Sequence, residues 1–216
     1  MNKATWHWAV PILLMCSTAC TRGALVQTDF NTPCANGTCT SQPLNAPLAQ
    51  GAFMDLDVSI QLNTASTPPP TLLRAGDQDV LRTDGRRVLG VGPGLSALLV
   101  QTPDGVVVDF FHIWVGAVSN LQVTAADAQG TALPPAQMGV TLHVGEEVTL
   151  TVTPFANSQQ LLGRFPLEAL TDSGAVVATV DANANRVFLT GVTPGTVQVS
   201  LNALEQTSTF TVVVLP

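Results

Sequence analysis

The chain has 216 residues, of which 46% are hydrophobic and only 11% are charged, a composition typical of one or two folded domains. Its formal net charge is −7, with seven arginines and the single lysine Lys3 against fifteen acidic residues. Because nucleic acids and anionic lipid headgroups bind basic surfaces, this balance excludes both as expected partners.

The amino terminus predicts an export signal. A short basic start at Lys3 precedes an apolar run over residues 9–15, which is too short to cross a bilayer stably. Residues 17–20, Ser-Thr-Ala-Cys, then place small side chains before a cysteine, and this segment resembles the lipobox of bacterial lipoproteins. The resemblance implies removal of residues 1–19 and a lipid on Cys20. The same residues also fit an ordinary signal-peptidase site.

The cysteine count bears on this alternative. Removal of the signal leaves Cys20, Cys34 and Cys39, an odd number for an oxidising compartment, and lipid on Cys20 accounts for the odd one. Asn36-Gly37 is a strong turn signal between the other two, so we expect them to form a local disulfide. A metal site is the competing interpretation, but no histidine or further cysteine stands nearby to complete a tetrahedral set.

Residues 20–51 predict a flexible tether, because they are rich in Thr, Pro, Ala, Asn and Gln and show little periodicity. From Ala52 onward, short stretches alternate between apolar and polar residues, most clearly over 55–63, 147–153 and 197–202. Strict alternation is typical of half-buried strands, and no window shows a helical stripe. The predicted fold class is therefore all-β.

Turn signals separate these strands at Asp84-Gly85, at Asp104-Gly105 and over residues 181–185, Asp-Ala-Asn-Ala-Asn. Short strands with frequent turns favour a sandwich. The last of these turns is similar to the start of a calcium loop. It lacks the glycine and the bidentate glutamate that such a loop needs, so a plain hairpin turn is the favoured interpretation.

An internal repeat divides the folded part of the chain. Residues 87–94 and 186–195 both begin with Arg-Val and end in Gly-Val-x-Pro-Gly, and each is followed by two predicted strands. The two copies lie about one small domain apart. We therefore expect a first domain over residues 52–116 and a second over 119–216.

Three segments of the second copy, residues 144–152, 175–181 and 191–199, together carry a family resemblance. The copy resembles a group 2 bacterial immunoglobulin-like domain, which implies a β-sandwich that serves as a spacer or adhesion module and has no shared catalytic residues. The first copy keeps the Gly-Val-x-Pro-Gly turn but lacks the full Gly-Glu-x-x-x-Leu opening. The expected architecture is two tandem immunoglobulin-like sandwiches, the first of them degenerate or partial.

Titratable groups suited to catalysis are few. The exported chain has only His112 and His143, and no Gly-x-Ser-x-Gly motif, so a nucleophilic triad is not expected. His143 stands between two apolar residues, which places it on the solvent face of a strand. We predict no catalytic residue, no metal site and no cofactor.

One predicted strand face carries a less ordinary pattern. Equating the final strands of the two copies, residues 111–115 and 210–214, turns Phe110, His112 and Trp114 to the outer face. Aromatic side chains often dominate recognition energetics, so this face is a candidate contact for sugar rings or a partner protein. The alternative is that the other domain or the tether covers it.

These patterns predict a non-catalytic lipoprotein of the cell envelope, anchored in the outer membrane, that acts as a binding, adhesion or spacer module. Its partner would be a carbohydrate or an envelope protein. A second hypothesis is a structural subunit of an envelope assembly that pairs through strand edges. A hydrolase with an unrecognised site, dependent on His112, is the third.

Overall fold

The structure is a computed structural model that describes residues 26–31, 46–62, 67, 69–136 and 139–216. This part of the chain forms eighteen strands and no α-helix, which confirms the all-β prediction. Within it, no helix has the length and apolar character needed to span a membrane. The predicted export signal, Cys20, Cys34 and Cys39 lie outside the described residues.

Nine strands form the first sandwich. They are β1 (Val26–Asn31), β2 (Leu48–Ala49), β3 (Phe53–Asp55), β4 (Asp57–Leu62), β5 (Leu72–Ala75), β6 (Leu81–Asp84), β7 (Arg87–Gly90), β8 (Gly94–Gln101) and β9 (Val107–Gly116). One layer has the order β2-β9-β8-β5. In the other layer, β1 pairs with β4 while β3-β7-β6 continue it, since only Leu56 separates β3 from β4.

Nine further strands form the second sandwich. They are β10 (Asn120–Asp127), β11 (Val140–His143), β12 (Glu147–Ala156), β13 (Gln159–Gln160), β14 (Glu168–Thr171), β15 (Val176–Asp181), β16 (Arg186–Gly191), β17 (Gly195–Ala203) and β18 (Gln206–Leu215). Its layers have the orders β10-β12-β16-β15, with β13 on β12, and β11-β18-β17-β14.

Both sandwiches have the immunoglobulin strand arrangement, in which four strands face a layer built on the last hairpin. The first strand of each sandwich, β1 or β10, lies in one layer. The short strand that follows it lies in the other layer, where it runs parallel to the final strand. This short strand is β2 beside β9 in the first sandwich and β11 beside β18 in the second. Except for β13, every strand of the second sandwich has a counterpart in the first.

Two strands of the first sandwich, β1 and β2, lie within residues 20–51, for which composition predicts a tether. β1 pairs antiparallel with β4, and β2 pairs with the end of β9. The local sequence does not reveal these strands, because their partners lie more than twenty residues away in one case and more than sixty in the other. The division of the chain into domains remains a proposal at these boundaries.

The strands bury the alternate residues that the sequence pattern indicates. In β18, for example, Phe210, Val212 and Val214 are buried while their neighbours are partly or fully exposed. The buried apolar side chains of both sandwiches form one continuous cluster. The repeat therefore corresponds to two units that share a core at their junction.

The predicted turns are confirmed. Gly85 lies in the hairpin between β6 and β7, Gly105 lies between β8 and β9, and both have positive φ angles, of 58° and 88°. Residues 182–185 connect β15 to β16, and the Asp181 carboxylate accepts a hydrogen bond from the Asn183 backbone N–H at 3.0 Å. That contact is the local aspartate turn that the composition favours.

The first glycine of the repeated Gly-Val-x-Pro-Gly motif has the same packing role in both copies. A Cβ atom on Gly90 would lie 2.7 Å from the carbonyl oxygen of Ala49, and one on Gly191 would lie 2.6 Å from that of His143. These carbonyls belong to β2 and β11, the short parallel strands. Glycine at this position thus lets the short strand approach the opposite layer.

The opening of the first copy is more complete than its sequence suggests. Gly51 and Gly145 have φ angles of 81° and 82°, and each donates its backbone N–H to the first motif glycine of its copy at 2.8 Å. Five residues further on, Leu56 and Leu150 are both buried. The first copy therefore has Gly-Ala-x-x-x-Leu at the same place, with Ala52 instead of the glutamate.

That alanine lies where the second sandwich meets the first, in a contact that we call the joint, formed by residues 47–53 and 161–165. Four backbone hydrogen bonds cross it: Ala49 N to Leu162 O at 2.9 Å, Leu162 N to Pro47 O at 2.8 Å, Phe53 N to Arg164 O at 2.8 Å and Arg164 N to Phe53 O at 2.7 Å. Segment 161–164 thus makes two isolated β-bridges to the first sandwich, a parallel one between Leu162 and Leu48 and an antiparallel one between Arg164 and Phe53.

Close packing at the joint requires Gly163. Its φ angle is 113°, and a Cβ atom there would lie 2.8 Å from both the Cβ of Ala52 and the Cδ1 of Leu48. Ala52 and Leu48 are fully buried. The side-chain amide of Asn185, in the β15–β16 turn, donates to the Gly163 carbonyl at 2.9 Å. The second sandwich thereby holds the segment that it inserts.

Candidate contact face

Strand β9 presents the three side chains that alternation places on the outer face. Phe110 is 56% exposed and Trp114 is 60% exposed, while His112 between them is also exposed. Ile113 and Val115 are buried on the other side of the strand. The second sandwich therefore does not cover these side chains, although it was one of the two predicted covers.

The neighbouring strands extend this surface with aliphatic side chains. Trp114 lies opposite Leu95 on β8, Phe110 lies opposite Leu99, and Leu72 on β5 lies opposite Gln101. A register shift in β8–β9 brings Val107 opposite Gln101 on the same side. We call the resulting surface the aromatic face, made up of Leu72, Leu95, Val107, Phe110, His112 and Trp114.

Polar groups on the aromatic face are sparse. The Phe110 and His112 rings make an edge-to-face contact, with centroids 5.4 Å apart and an interplanar angle of 83°. Such contacts fix ring orientation, and they leave the two rings far from coplanar. Arg74, opposite Leu99, and Gln101 are the other polar side chains that point outward from these strands. The face suits apolar contact better than a dense hydrogen-bond network.

The equivalent sheet face of the second sandwich is polar. Gln198 donates to the Thr211 hydroxyl at 2.9 Å, and the hydroxyls of Ser200 and Thr209 lie 3.2 Å apart. The Thr207 hydroxyl then donates to Asn202 at 2.9 Å. These cross-strand pairs satisfy one another on a solvated surface.

A cluster of paired charges lies beside the joint, on the layer opposite the aromatic face. The Arg87 Nε donates to Asp55 at 2.9 Å, and Arg164 of the second sandwich forms an ion pair with the same carboxylate. Both guanidinium groups also lie over the Phe53 ring, 4.2 Å and 5.3 Å from its centroid. The Arg87 hydrogen bond, together with the charges of Arg164 and Arg87, holds the pKa of Asp55 below its ordinary value.

This cluster joins the sandwiches and offers no evident chemistry. Asp57, Asp84 and Arg86 line the open groove beside it, and Arg86 pairs with Asp57. Among the described residues, no group of three or more His, Cys, Asp or Glu side chains could hold a metal ion. The arrangement has opposite charges already paired with each other, which suits cohesion between domains.

The remaining predicted position is His143, which is exposed as alternation indicates. Its ring Nδ1 lies 3.3 Å from Glu146, whose carboxylate also accepts the His143 backbone N–H at 2.7 Å. That contact caps the turn between β11 and β12. His143 and His112 lie in different sandwiches, on β11 and β9, so the structure does not build a site from them.

Sequence reasoning missed the aliphatic part of the aromatic face. Leu95 belongs to the set of β8 residues that alternate with buried ones, and this pattern could have placed it outward. Leu72 and Val107 could not have been found in the same way, because their positions depend on strand pairing and on the register shift.

No family model and no curated protein matches the chain. Among solved structures, domains 4 and 5 of the S-layer protein SbsC are 17% identical over 73% of this chain and 82% of that chain, with a TM-score of 0.35. The D00-D0 domain of Intimin is 13% identical over 88% of this chain and all of its own length, with a TM-score of 0.31. The Escherichia coli adhesin FdeC is 13% identical over 89% of this chain and 64% of its own, also at 0.31.

Some of these similar structures are much longer than this chain. The chain spans only 27 to 30% of the longer SbsC structures. Similarity at these TM-scores carries no argument about function. The immunoglobulin-like arrangement therefore rests on strand order and pairing, which are common to both sandwiches.

Proposed function

We propose that this chain is a non-catalytic module of the bacterial cell envelope, related to the group 2 bacterial immunoglobulin-like domains. A lipid on Cys20 anchors it in the outer membrane, and the aromatic face makes its contact with a partner. The observation that carries the proposal is the exposure of Phe110 and Trp114 side by side with Leu95 on one sheet. Large apolar surfaces of this kind on soluble domains mark interaction sites.

Surface labelling of intact cells tests the anchor. The Cys20→Ala variant should lose membrane association and be released, because the lipid on Cys20 is the anchor that the proposal assigns. Cys16→Ala is the matched control, since that cysteine follows a bulky methionine and is expected to be removed with the signal. Membrane retention of the Cys20→Ala variant would remove lipid anchoring from the proposal.

Binding measurements test the contact face. A variant that combines Phe110→Thr, His112→Thr and Trp114→Val transplants the equivalent residues of the second sandwich. It should lose any retention on glycan arrays or on envelope extracts that the original chain shows. Equal retention by the two proteins would show that the partner contacts some other surface.

A second candidate is a structural subunit of an envelope assembly, and strand β15 supports it. This strand pairs with β16 on one side, and no other described strand pairs with it. Six residues of open edge are enough to accept a strand from a neighbour. The backbone N–H of Ala178 points to the open edge, because the neighbouring Val177 forms the hydrogen-bonded pair with Thr190. Ala178→Pro should therefore abolish such an assembly without affecting the aromatic face. Loss of a stoichiometric cross-linked neighbour would be the readout.

A further inference from the structure

Exposed apolar side chains are concentrated on one side of the molecule. In the described part of the chain, eleven large hydrophobic residues are exposed, and six of them lie on the aromatic face or in the loop beside it. These six are Leu72, Leu95, Val106, Val107, Phe110 and Trp114. The other five are dispersed over loops and strands of the second sandwich.

The apolar area is large enough to form most of one side of a dimer contact. With fractional exposures between 44 and 60%, these six side chains present roughly 500 to 600 Å². A standard interface takes about 800 Å² from each partner. Arg74 and Gln101 also point outward from the same sheet and add polar surface to it.

The charge distribution favours this surface for contact between two copies of the chain. The chain has a net charge of −7, so two copies repel each other over most approaches. No carboxylate is among the residues that point outward from β5, β8 and β9. Asp109 lies opposite the buried Val100 and therefore belongs to the inward set. Two copies can therefore meet over these strands without burying acidic groups, and Asp104 lies outside the strands in the β8–β9 loop.

Symmetry favours the same conclusion. A two-fold dimer uses one patch on both subunits, whereas a head-to-tail contact needs a second, different patch. The scattered exposed residues of the second sandwich do not provide one. Sugar rings fit less well, because Phe110 and His112 stand at 83° to each other and the face has few groups to bond hydroxyls.

We propose that the aromatic face is the contact between two copies of this chain, packed sheet on sheet about a two-fold axis. The inference rests on the proposed function in that the same face is the contact surface, and it names the occupant. In this arrangement the two sheets lie about 10 Å apart, as in a β-sandwich core. Trp114 and Phe110 then fill the space between them.

Sedimentation of the purified chain over a concentration series tests this proposal. We expect the mass to rise from monomer to dimer. Leu95→Asp should weaken association by at least about 100-fold, since it places an unpaired charge in the contact. The matched control is Leu170→Asp, an equally exposed leucine on β14 in the second sandwich, and it should leave association unchanged.

The outcomes separate this inference from the proposed function. A chain that remains monomeric, or a dimer that survives Leu95→Asp, would overturn self-association. If that monomer still binds a glycan or an envelope protein through Phe110 and Trp114, the proposed function stands without it. Cross-links from the face to residues 1–25 or 32–45 of the same molecule would also overturn it. Thermal unfolding of both variants checks that each is folded.

Discussion

The two sandwiches have equivalent last hairpins, yet the outer surfaces of those hairpins differ completely. Facing inward, Phe111 corresponds to Phe210 and Ile113 to Val212. Facing outward, an aromatic and aliphatic surface in the first sandwich corresponds to a ladder of Thr, Ser, Gln and Asn in the second. The inward residues are thus sufficient to specify the arrangement, and the outward residues are available for function.

The sandwiches also differ at the turn that precedes β3 in the first and β12 in the second. In the first sandwich this turn contacts segment 161–164, and Ala52 stands where Glu146 caps the turn in the second. A small residue there is what allows the other domain to dock. Substitutions in the two sandwiches and at the joint between them test this difference, and the largest expected effect on stability is at the joint.

Gly163→Ala should have the largest effect. The new Cβ would meet Leu48 and Ala52 at 2.8 Å, and the φ of 113° is strained for any residue with a side chain. We expect a loss of about 3 kcal/mol in the free energy of unfolding, measured by urea denaturation. Gly130→Ala is the control, because Gly130 also has a positive φ but has open space around its Cβ. Equal losses in both variants would mean that packing at the joint contributes nothing.

Gly90→Ala and Gly191→Ala should lower the free energy of unfolding by equal amounts. Each Cβ would lie under 3 Å from a backbone carbonyl oxygen of the short parallel strand, and a backbone cannot move aside cheaply. We expect about 2 kcal/mol for each variant in the same urea experiment. Gly174→Ala, in open space, should change stability little. A clear difference between the two motif glycines would show that the copies are not structurally equivalent there.

Asp55→Asn should cost about 1 kcal/mol at pH 7, since it removes the charge shared by Arg87 and Arg164 at a partly exposed site. The folded-state pKa of Asp55 is lowered, chiefly by the Arg87 hydrogen bond. Its contribution is therefore complete above the unfolded pKa of about 3.9 and is lost as the pH falls through the lower folded value. The original chain should lose more stability than Asp55→Asn between pH 5 and pH 2.

Asp57→Asn is the matched control for that experiment, because Asp57 forms its ion pair with Arg86 of the first sandwich. Its acid dependence should remain close to that of the original chain. Parallel curves for all three proteins would exclude a role for Asp55 in acid sensitivity.

The transplant of Thr, Thr and Val at positions 110, 112 and 114 should have the smallest effect on stability. All three side chains are exposed, and the new residues favour strands, so we expect the free energy of unfolding to change by less than about 1 kcal/mol. Thermal and urea unfolding measure it. A loss above about 2 kcal/mol would show that the rings are packed inside the folded chain.

Only some of these features of the two sandwiches could be predicted from the sequence. Alternation is a local property, and it correctly placed Phe110, His112 and Trp114 outward. The Asp-Gly turn signal is equally local, and it correctly placed Gly85 in a hairpin turn. The first copy resembles a partial domain because Ala52 replaces the glutamate of the opening motif, although Gly51 and Leu56 occupy the required positions. When one polar side chain of a motif is replaced, the repeat becomes hard to recognise in the sequence, even though its backbone conformation is kept.

The joint could not have been predicted. Asp55 and Arg164 are 109 residues apart, and neither stands in a segment with unusual composition. Position 163 requires glycine because of side chains in the other sandwich, so no local sequence pattern predicts this requirement. The strands β1 and β2 were missed for the same reason, because their partners lie far along the chain.

The sequence distance across the joint also bears on the order in which the chain folds. Each sandwich can complete its own hairpins from short loops, whereas the joint closes a loop of more than a hundred residues and gains little until both partners exist. Leu48 and Ala52 therefore remain uncovered on the first sandwich until residues 161–164 have been made and have folded into place. The first sandwich therefore completes its folding only after segment 161–164 has docked, and this segment is synthesised long after β9.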